Sequence, residues 1–332
     1  MDFTASPLPP ERDHVVLAVN PKAGARSTRH LVEELASLLR DAGYTAEIKT
    51  DLSEISVRTA ELHTQGRLRT LVAVGGDGTA AEMANRTQPG TPLTIFPSGT
   101  ENLLAKYLGM SANPDAVCRI IRDGYVTQFD AGWACSPKAP EEGRLFLLMA
   151  DFGFDAEVVR LLHDERAGHI SRFTYFKPFW QALRRYQHPE MRLFYDEMAE
   201  ETSKTRANDG SPMSPDGLRS RWLFVFNLPC YATGLKIAPR ADGSDGLFDV
   251  CSFRGGSGWK VFQYLFGVLF RCHTRFKDCE TRRVRRIRIE SEQPVPYLLD
   301  GDPGGWLPLE IRLLPQHISL LVPKSRVRNE SQ

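Results

Sequence analysis

Long apolar runs are missing from this chain: nowhere in its 332 residues do the ~20 consecutive apolar residues of a membrane-crossing helix occur. The opening residues, MDFTASPLPPERDH, also lack the basic start and apolar stretch of a secretory signal. A surplus of one charge is missing too. The formal net charge is +1, so a globally basic nucleic-acid binder is excluded and no nucleic-acid partner is expected. The six cysteines (Cys118, Cys135, Cys230, Cys251, Cys272, Cys279) form no CxxC pair and no cluster with histidine. That excludes a zinc site and a disulfide framework and leaves reduced, mostly buried thiols. Two phosphate-loop spellings are absent as well. No lysine closes a G-x-x-x-x-G-K-[ST] loop, and Gly76-Asp77-Gly78 has Ala81 where G-x-G-x-x-G needs its third glycine. These absences leave a cytoplasmic protein, peripheral to membranes at most.

The chain is 42% hydrophobic and longer than one core ordinarily serves, so two domains are expected. Residues 71–85, LVAVGGDGTAAEMAN, organise the first. Leu68, Leu71, Val72 and Val74 make an apolar run of strand length that stops at Gly75-Gly76-Asp77-Gly78-Thr79 and restarts as the helix-compatible AAEMAN. Three glycines in four residues permit positive φ and remove Cβ atoms, so successive N–H groups can face an anion, and the helix start adds its partial positive charge. Asp77 inside such a loop would repel a phosphate unless a cation intervenes, which points to a nucleotide bound with Mg²⁺. Glu82 sits one helical turn beyond Thr79 and can face the same mouth. The alternative is a tight turn that binds nothing.

Around this stretch, strand and helix patterns alternate. A strand over 14–20 ends at Asn20-Pro21-Lys22-Ala23-Gly24; Leu31, Leu35, Leu38 and Leu39 mark a helix ending at Gly43; a strand over 46–50 and a helix over 53–65 follow, with Ser53 as its cap. A strand over 91–96 closes at Pro97-Ser98-Gly99-Thr100-Glu101-Asn102 before another helix. This alternation predicts a mainly parallel sheet covered on both faces, with ligands beyond the carboxyl ends of its strands. NPKAG, GGDGT and PSGTEN all fall in that position.

After about residue 126 the pattern changes to short strand-like runs at 128–133, 145–152, 192–195, 222–228, 247–253, 284–289, 297–299, 309–313 and 318–322. They predict an antiparallel β-sandwich interrupted by helices over 157–164 and 173–185, with 197–220 as an exposed loop. The expected organisation is an α/β nucleotide-binding domain over 1–127, a β-sandwich substrate domain over 128–315, and a tail over 316–332 returning to the first domain. The aromatics at 173–180 and 259–270 read either as core packing or as the lining of an acyl pocket. Residues 271–288 carry eight basic side chains against Asp278 and Glu280. That surplus reads either as a solvated strand face or as a membrane-docking patch.

The motifs together resemble the diacylglycerol kinase catalytic family, in its bacterial lipid-kinase form related to the sphingosine kinases. Asn20 to Gly24 matches NPxxG, Gly75 to Glu82 matches GGDGTxxE, and Pro97 to Ala105 matches PxGTxNxxA; NLPCYATGLKIAPRADGSDGLFDV at 227–250 and Asp300-Gly301-Asp302 match two late motifs, the last with Asp302 in place of the family's Glu. The resemblance implies a phosphofructokinase-like (Rossmann-like) α/β domain, a C-terminal antiparallel β-sandwich, ATP between them, and Mg²⁺. It implies phosphate contacts from Asn20, Pro21, Lys22, Ala23, Gly24, Gly75, Gly76, Asp77, Gly78 and Thr79, with Thr50, Glu82, Thr100 and Asn102 around the nucleotide. It also implies a second Mg²⁺ held by Asp245 with the carbonyls of Asp242 and Leu247. Asp77 would orient Mg²⁺ through water. Asp300 and Asp302 are expected on one strand face, and Asp300 is taken as the base because Asp302, shorter than the family's Glu, reaches less far; Asp302 is the alternative. The implied reaction moves the γ-phosphoryl group of ATP to a lipid hydroxyl at an anionic membrane surface, and a homodimer is compatible with it. A NAD kinase-like reaction on a soluble dinucleotide and a silent nucleotide- or lipid-binding module are the rival readings.

Overall fold

The computed structural model describes residues 2–20, 25–164, 172–196, 213–214, 217–229, 231 and 234–328. It falls into two compact units, Met1–Phe129 with Pro315–Gln332, and Asp130–Leu314.

The first unit opens with β1 (Ser6–Pro7), β2 (His14–Val19), α1 (Ala25–Asp41), β3 (Thr45–Lys49) and α2 (Leu52–Thr64). It continues with β4 (Leu68–Gly75), α3 (Asp77–Arg86), β5 (Pro92–Pro97), α4 (Leu103–Leu108) and α5 (Pro114–Asp123). β2 pairs in parallel with β3 and β4, and β4 with β5. All eight residues of β4 are buried, which is why its run Leu71–Val74 is apolar without alternation. Asp51, and not Ser53, caps α2 by accepting the N–H groups of Ser53 and Glu54. Asn113 caps α5, and Gly109 and Gly124 end α4 and α5 in left-handed conformations.

The second unit is built on β6 (Tyr125–Ser136), β7 (Ala139–Phe146), β8 (Met149–Phe152), α6 (Phe154–Asp164), α7 (Phe176–Arg185), β9 (Met191–Tyr195) and β10 (Leu218–Ser220). Then come β11 (Trp222–Phe226), β12 (Phe248–Phe253), α8 (Gly258–Leu269), β13 (Cys279–Val284), β14 (Arg286–Ser291), β15 (Pro296–Leu299), β16 (Asp302–Trp306) and β17 (Leu309–Leu321). One antiparallel sheet runs β13-β12-β11-β8-β15-β16, and β10-β9-β14-β17 forms a second antiparallel layer. Between them lies one core in which Phe152, Leu223, Val225, Phe248 and Val250 meet Leu193, Ile287, Ile289 and Ile311. β11 is buried at every position, because its other side chains, Trp222, Phe224 and Phe226, pack in a separate aromatic cluster with Phe154, Tyr231 and Tyr264.

The strand over 145–152 is split: β7 and β8 are joined at Leu147-Leu148. The runs over 309–313 and 318–322 are instead one strand, β17, whose first half pairs with β14 and whose second half pairs in parallel with β5. Leu218–Ser220 pairs with β9 and is not loop, while the rest of the predicted 197–220 loop lies largely outside the described residues. Five cysteines are free thiols; Cys230 lies outside the described residues.

Arg69 ties the first unit together. Buried, it donates to the carbonyl oxygens of Ile121 at 2.8 Å and Arg122 at 2.7 Å, and more distantly to those of Leu8 and Pro9. Arg69→Met should lower stability by about 2–4 kcal/mol, because the last carbonyls of α5 lose a charged donor and stay buried. Urea unfolding followed by circular dichroism checks this.

Candidate active site

In the first unit, loops at the carboxyl ends of β2, β4 and β5 meet. Asn20 donates its backbone N–H to the Val74 carbonyl at 3.4 Å and its Nδ2 to Thr79 Oγ1 at 3.5 Å. The Ser98 N–H reaches the Gly75 carbonyl at 2.9 Å. Gly76 and Gly99 face each other backbone to backbone. A Cβ on Gly99 would stand 2.5 Å from Gly76 Cα, and one on Gly75 would stand 2.1 Å from Thr79 Oγ1. Asn102, in a left-handed conformation at φ 51°, clasps Gly99 by donating to its carbonyl at 2.8 Å and accepting its N–H at 3.0 Å. Gly76 has no side chain to cap α3, and the Thr79 N–H turns back to the Gly76 carbonyl at 3.0 Å, so among the described residues the amides of Asp77 and Gly78 are the ones left to an anion. A glycine-built cradle at an uncapped helix start fits the phosphates of ATP.

Asp77 has a task that its motif did not reveal. Its two carboxylate oxygens accept the N–H groups of Leu103 at 2.8 Å and Leu104 at 2.9 Å, capping α4. Burial pushes its pKa up against the pull of those amides. In this arrangement it fastens GGDGT to PSGTEN, where the motif had suggested water-mediated contact with Mg²⁺. Glu82, expected to face the mouth, pairs with Arg86 along α3. Thr50 and Thr100 are exposed at the ends of their strands' loops. Pro21, Lys22, Ala23 and Gly24 lie outside the described residues.

In the second unit, Asp300 and Asp302 do not share a strand face. Leu299 pairs with Asp302 across a two-residue turn, in which Asp300 and Gly301 both have positive φ, 52° and 83°. Asp-Gly is the spelling such a hairpin turn favours, and it breaks the alternation that would have set the two carboxylates side by side. Asp300 accepts the N–H groups of Leu147, Leu148 and Met149 at 2.8, 2.7 and 3.1 Å. Both of its oxygens are thereby engaged in holding the β7–β8 turn, which makes it an anchor. Buried Asn227 supports the same turn by donating to the Leu147 carbonyl at 2.8 Å. Asp302 stands at the start of β16 with 47% of its side chain exposed, facing Arg144 at 3.5 Å.

The turn over residues 242–247 is held by hydrogen bonds and an ion pair. Asp245 pairs with Arg283 and accepts the Leu247 N–H at 3.0 Å, while the Asp242 carbonyl accepts the Asp245 N–H at 3.2 Å. Asp130 holds the Gly246 N–H at 2.8 Å. Burial raises the Asp245 pKa to about 6 against the opposing pull of Arg283. In this arrangement the guanidinium of Arg283 stands beside the carboxylate that the resemblance gave to a second Mg²⁺. Among the described residues, no group of three or more His, Cys, Asp or Glu could hold a metal ion. Arg283 belongs to the basic stretch, whose strand-borne members are largely neutralised: Arg282 pairs with Glu280, Arg286 with Glu310 and Arg288 with Glu290. On β14, Ile287 and Ile289 point into the core, so Arg286 and Arg288, which alternate with them, project outward to meet those carboxylates.

Comparison with known families decides what this site belongs to. Residues 14–134 match the diacylglycerol kinase catalytic domain, and residues 149–322 match the YegS C-terminal NAD kinase β-sandwich-like domain. The chain belongs to the diacylglycerol kinase catalytic family. A diacylglycerol kinase of Mycobacterium tuberculosis is 30% identical over 259 residues, covering 76% of this chain and 77% of its own. One from Staphylococcus epidermidis is 24% identical over 96% of this chain and 95% of its own. A crystal structure of a diacylglycerol kinase from Bacillus anthracis matches with a TM-score of 0.64 at 19% identity, covering 95% of this chain and 98% of that one; at that identity the likeness is one of fold.

This kinase also holds a buried acidic pair that the sequence motifs did not point to. Asp151 on β8 is buried with neither carboxylate oxygen hydrogen-bonded among the described residues, and Asp155 accepts the Tyr231 hydroxyl. Burial, and for Asp151 the nearness of Asp155, pushes both carboxyl pKa values up. The one signal available was a lone acid inside the apolar run Met149–Phe152.

Two outcomes follow from this geometry. Gly99→Ala should weaken ATP binding by at least ~10-fold in calorimetric titration, since the new Cβ must displace the Gly76 backbone. Asp300→Ala should cost about 3–5 kcal/mol in urea unfolding, because three amides lose a charged acceptor at once.

Proposed function

We propose that this kinase transfers the γ-phosphoryl group of ATP to the hydroxyl of a lipid, diacylglycerol or a sphingoid base being the class of acceptor. The observation that carries the reading is the Gly75–Thr79 cradle, locked to Gly99 and Asn102 and opening onto an uncapped helix start. The names of the relatives, diacylglycerol kinases, support the lipid acceptor.

In this reading the backbone amides of GGDGT and the start of α3 hold the phosphates, and Asp77 keeps PSGTEN in place. Mg²⁺ arriving with the triphosphate supplies the charge neutralisation that phosphoryl transfer needs. Asp302, with a half-open carboxylate, takes the proton of the acceptor hydroxyl as its oxygen bonds to the γ-phosphorus and the bond to the ADP oxygen breaks. Asp300 serves by fixing the turn from which Asp302 projects, which reverses the order of preference that sequence alone suggested.

Incubation with ATP labelled at the γ-phosphate, offered dispersed diacylglycerol, a sphingoid base, phosphatidylglycerol or NAD, tests the proposal. Label should enter a lipid; label in NAD alone, or in no acceptor, would overturn it. Asp302→Asn should lower kcat by at least ~100-fold while leaving ATP affinity intact, as removal of a general base does. Asp302→Glu should keep substantial turnover. Full activity in Asp302→Asn would return the base to another residue.

A further inference from the structure

The aromatic residues of α7 and α8 divide by face. On α8, Val261, Tyr264 and Val268 are buried, and Tyr264 packs on Phe253 of β12 with ring centroids 4.4 Å apart. The opposite stripe is equally apolar and open: Trp259 is 76% exposed, Phe266 59%, Leu269 57% and Phe270 72%. From α7, Phe176 is 68% exposed and Trp180 39%. Phe262 lies 6.2 Å from Phe179 and 6.3 Å from Trp180, joining the two helices into one surface. Core packing therefore accounts for only one side of each helix. A surface helix ordinarily turns polar residues outward, and a contiguous aromatic face marks a place of binding.

The flank of this surface is cationic. Arg184 and Arg185 end α7, and Arg271, Arg275 and Lys277 follow α8; all are exposed and none forms an ion pair among the described residues. The acid that follows Lys277, Asp278, is already held by Lys260 and Tyr264, each at 2.6 Å. This is the reverse of the β13–β14 arginines, whose charge is spent on neighbouring carboxylates.

We propose that the α7–α8 face docks on an anionic lipid bilayer, with Phe176, Trp259, Phe266, Leu269 and Phe270 entering the headgroup–acyl boundary and the flanking arginines and Lys277 taking the headgroup charge. The choice of a bilayer rests on the lipid-acceptor reading; the exposed aromatic face does not depend on it. A second copy of the chain is the weaker occupant, because pairing this face with itself sets a cationic flank against a cationic flank. The docking surface thus takes Arg271, Arg275 and Lys277 from the basic stretch over 271–288 and leaves out the arginines of β13 and β14.

Flotation of the full chain with vesicles of equal phosphatidylglycerol and phosphatidylcholine, without ATP or acceptor, tests this. The native chain should float, and less so as salt rises. The combination Trp259→Ser, Phe266→Ser, Phe270→Ser should reduce the bound fraction at least ~10-fold, whereas Arg282→Gln with Arg286→Gln and Arg288→Gln should leave it unchanged. Quenching of native tryptophan emission by brominated acyl chains gives a readout that needs no variant and should be positive. No flotation of the native chain, no quenching, or equal flotation of the serine variant would overturn the proposal. So would a dimer, seen by light scattering, that dissolves in that variant. Since binding is read without ATP, a chain that floats yet labels no lipid supports docking and defeats only the kinase reading; one that labels micellar lipid yet never floats defeats only docking.

Discussion

The approach of the Gly76 and Gly99 backbones constrains the first unit more than any other contact. Two chain segments can come this close only if neither carries a Cβ, and the gap left no room for one on Gly99. Around it, Asn102 clasps Gly99, Ser98 reaches Gly75, and Asp77 reaches across to cap α4. The loop is thus held from behind by side chains and backbone, while its front keeps the amides of α3. A charged residue in a phosphate loop need not touch phosphate; here its charge serves the helix start beside it.

Asp300 plays the corresponding part in the second unit. A carboxylate that collects three amides is an organising centre, and the turn it fixes sets the direction of Asp302. The two acids differ in exposure: Asp300 is engaged by backbone amides, and Asp302 keeps 47% of its side chain exposed. A similar logic separates the two groups of basic residues. Arginines alternating on β13 and β14 find carboxylates on the same solvent-facing side, so their charge is consumed locally. Those at the end of α7 and after α8 have no such partners among the described residues, and exposed aromatic residues precede them in each helix.

The buried pair Asp151 and Asp155 is costly to bury in charged form, and among the described residues neither side-chain oxygen of Asp151 has a hydrogen-bond partner. Neutral acids among aromatic rings can donate as well as accept, which a carboxylate cannot. Their position within the aromatic cluster over β11 sets them apart from the solvent-facing carboxylates Asp302 and Glu82.

Period and punctuation in the sequence determined the alternating α/β unit, its parallel sheet, the later run of antiparallel strands and the family, because glycine turns and apolar runs are local signals. The three loops at strand ends were legible for the same reason. What residues do across the fold was not. That Asp77 caps α4, that Asp300 sits in a left-handed turn holding the amides of residues 147–149, and that Asp245 faces Arg283 all depend on partners 26 to 153 positions away. The same holds for the helices: the periodicity of α8 shows apolar residues on every side, and only packing against β12 decides which stripe is covered and which is left to the solvent.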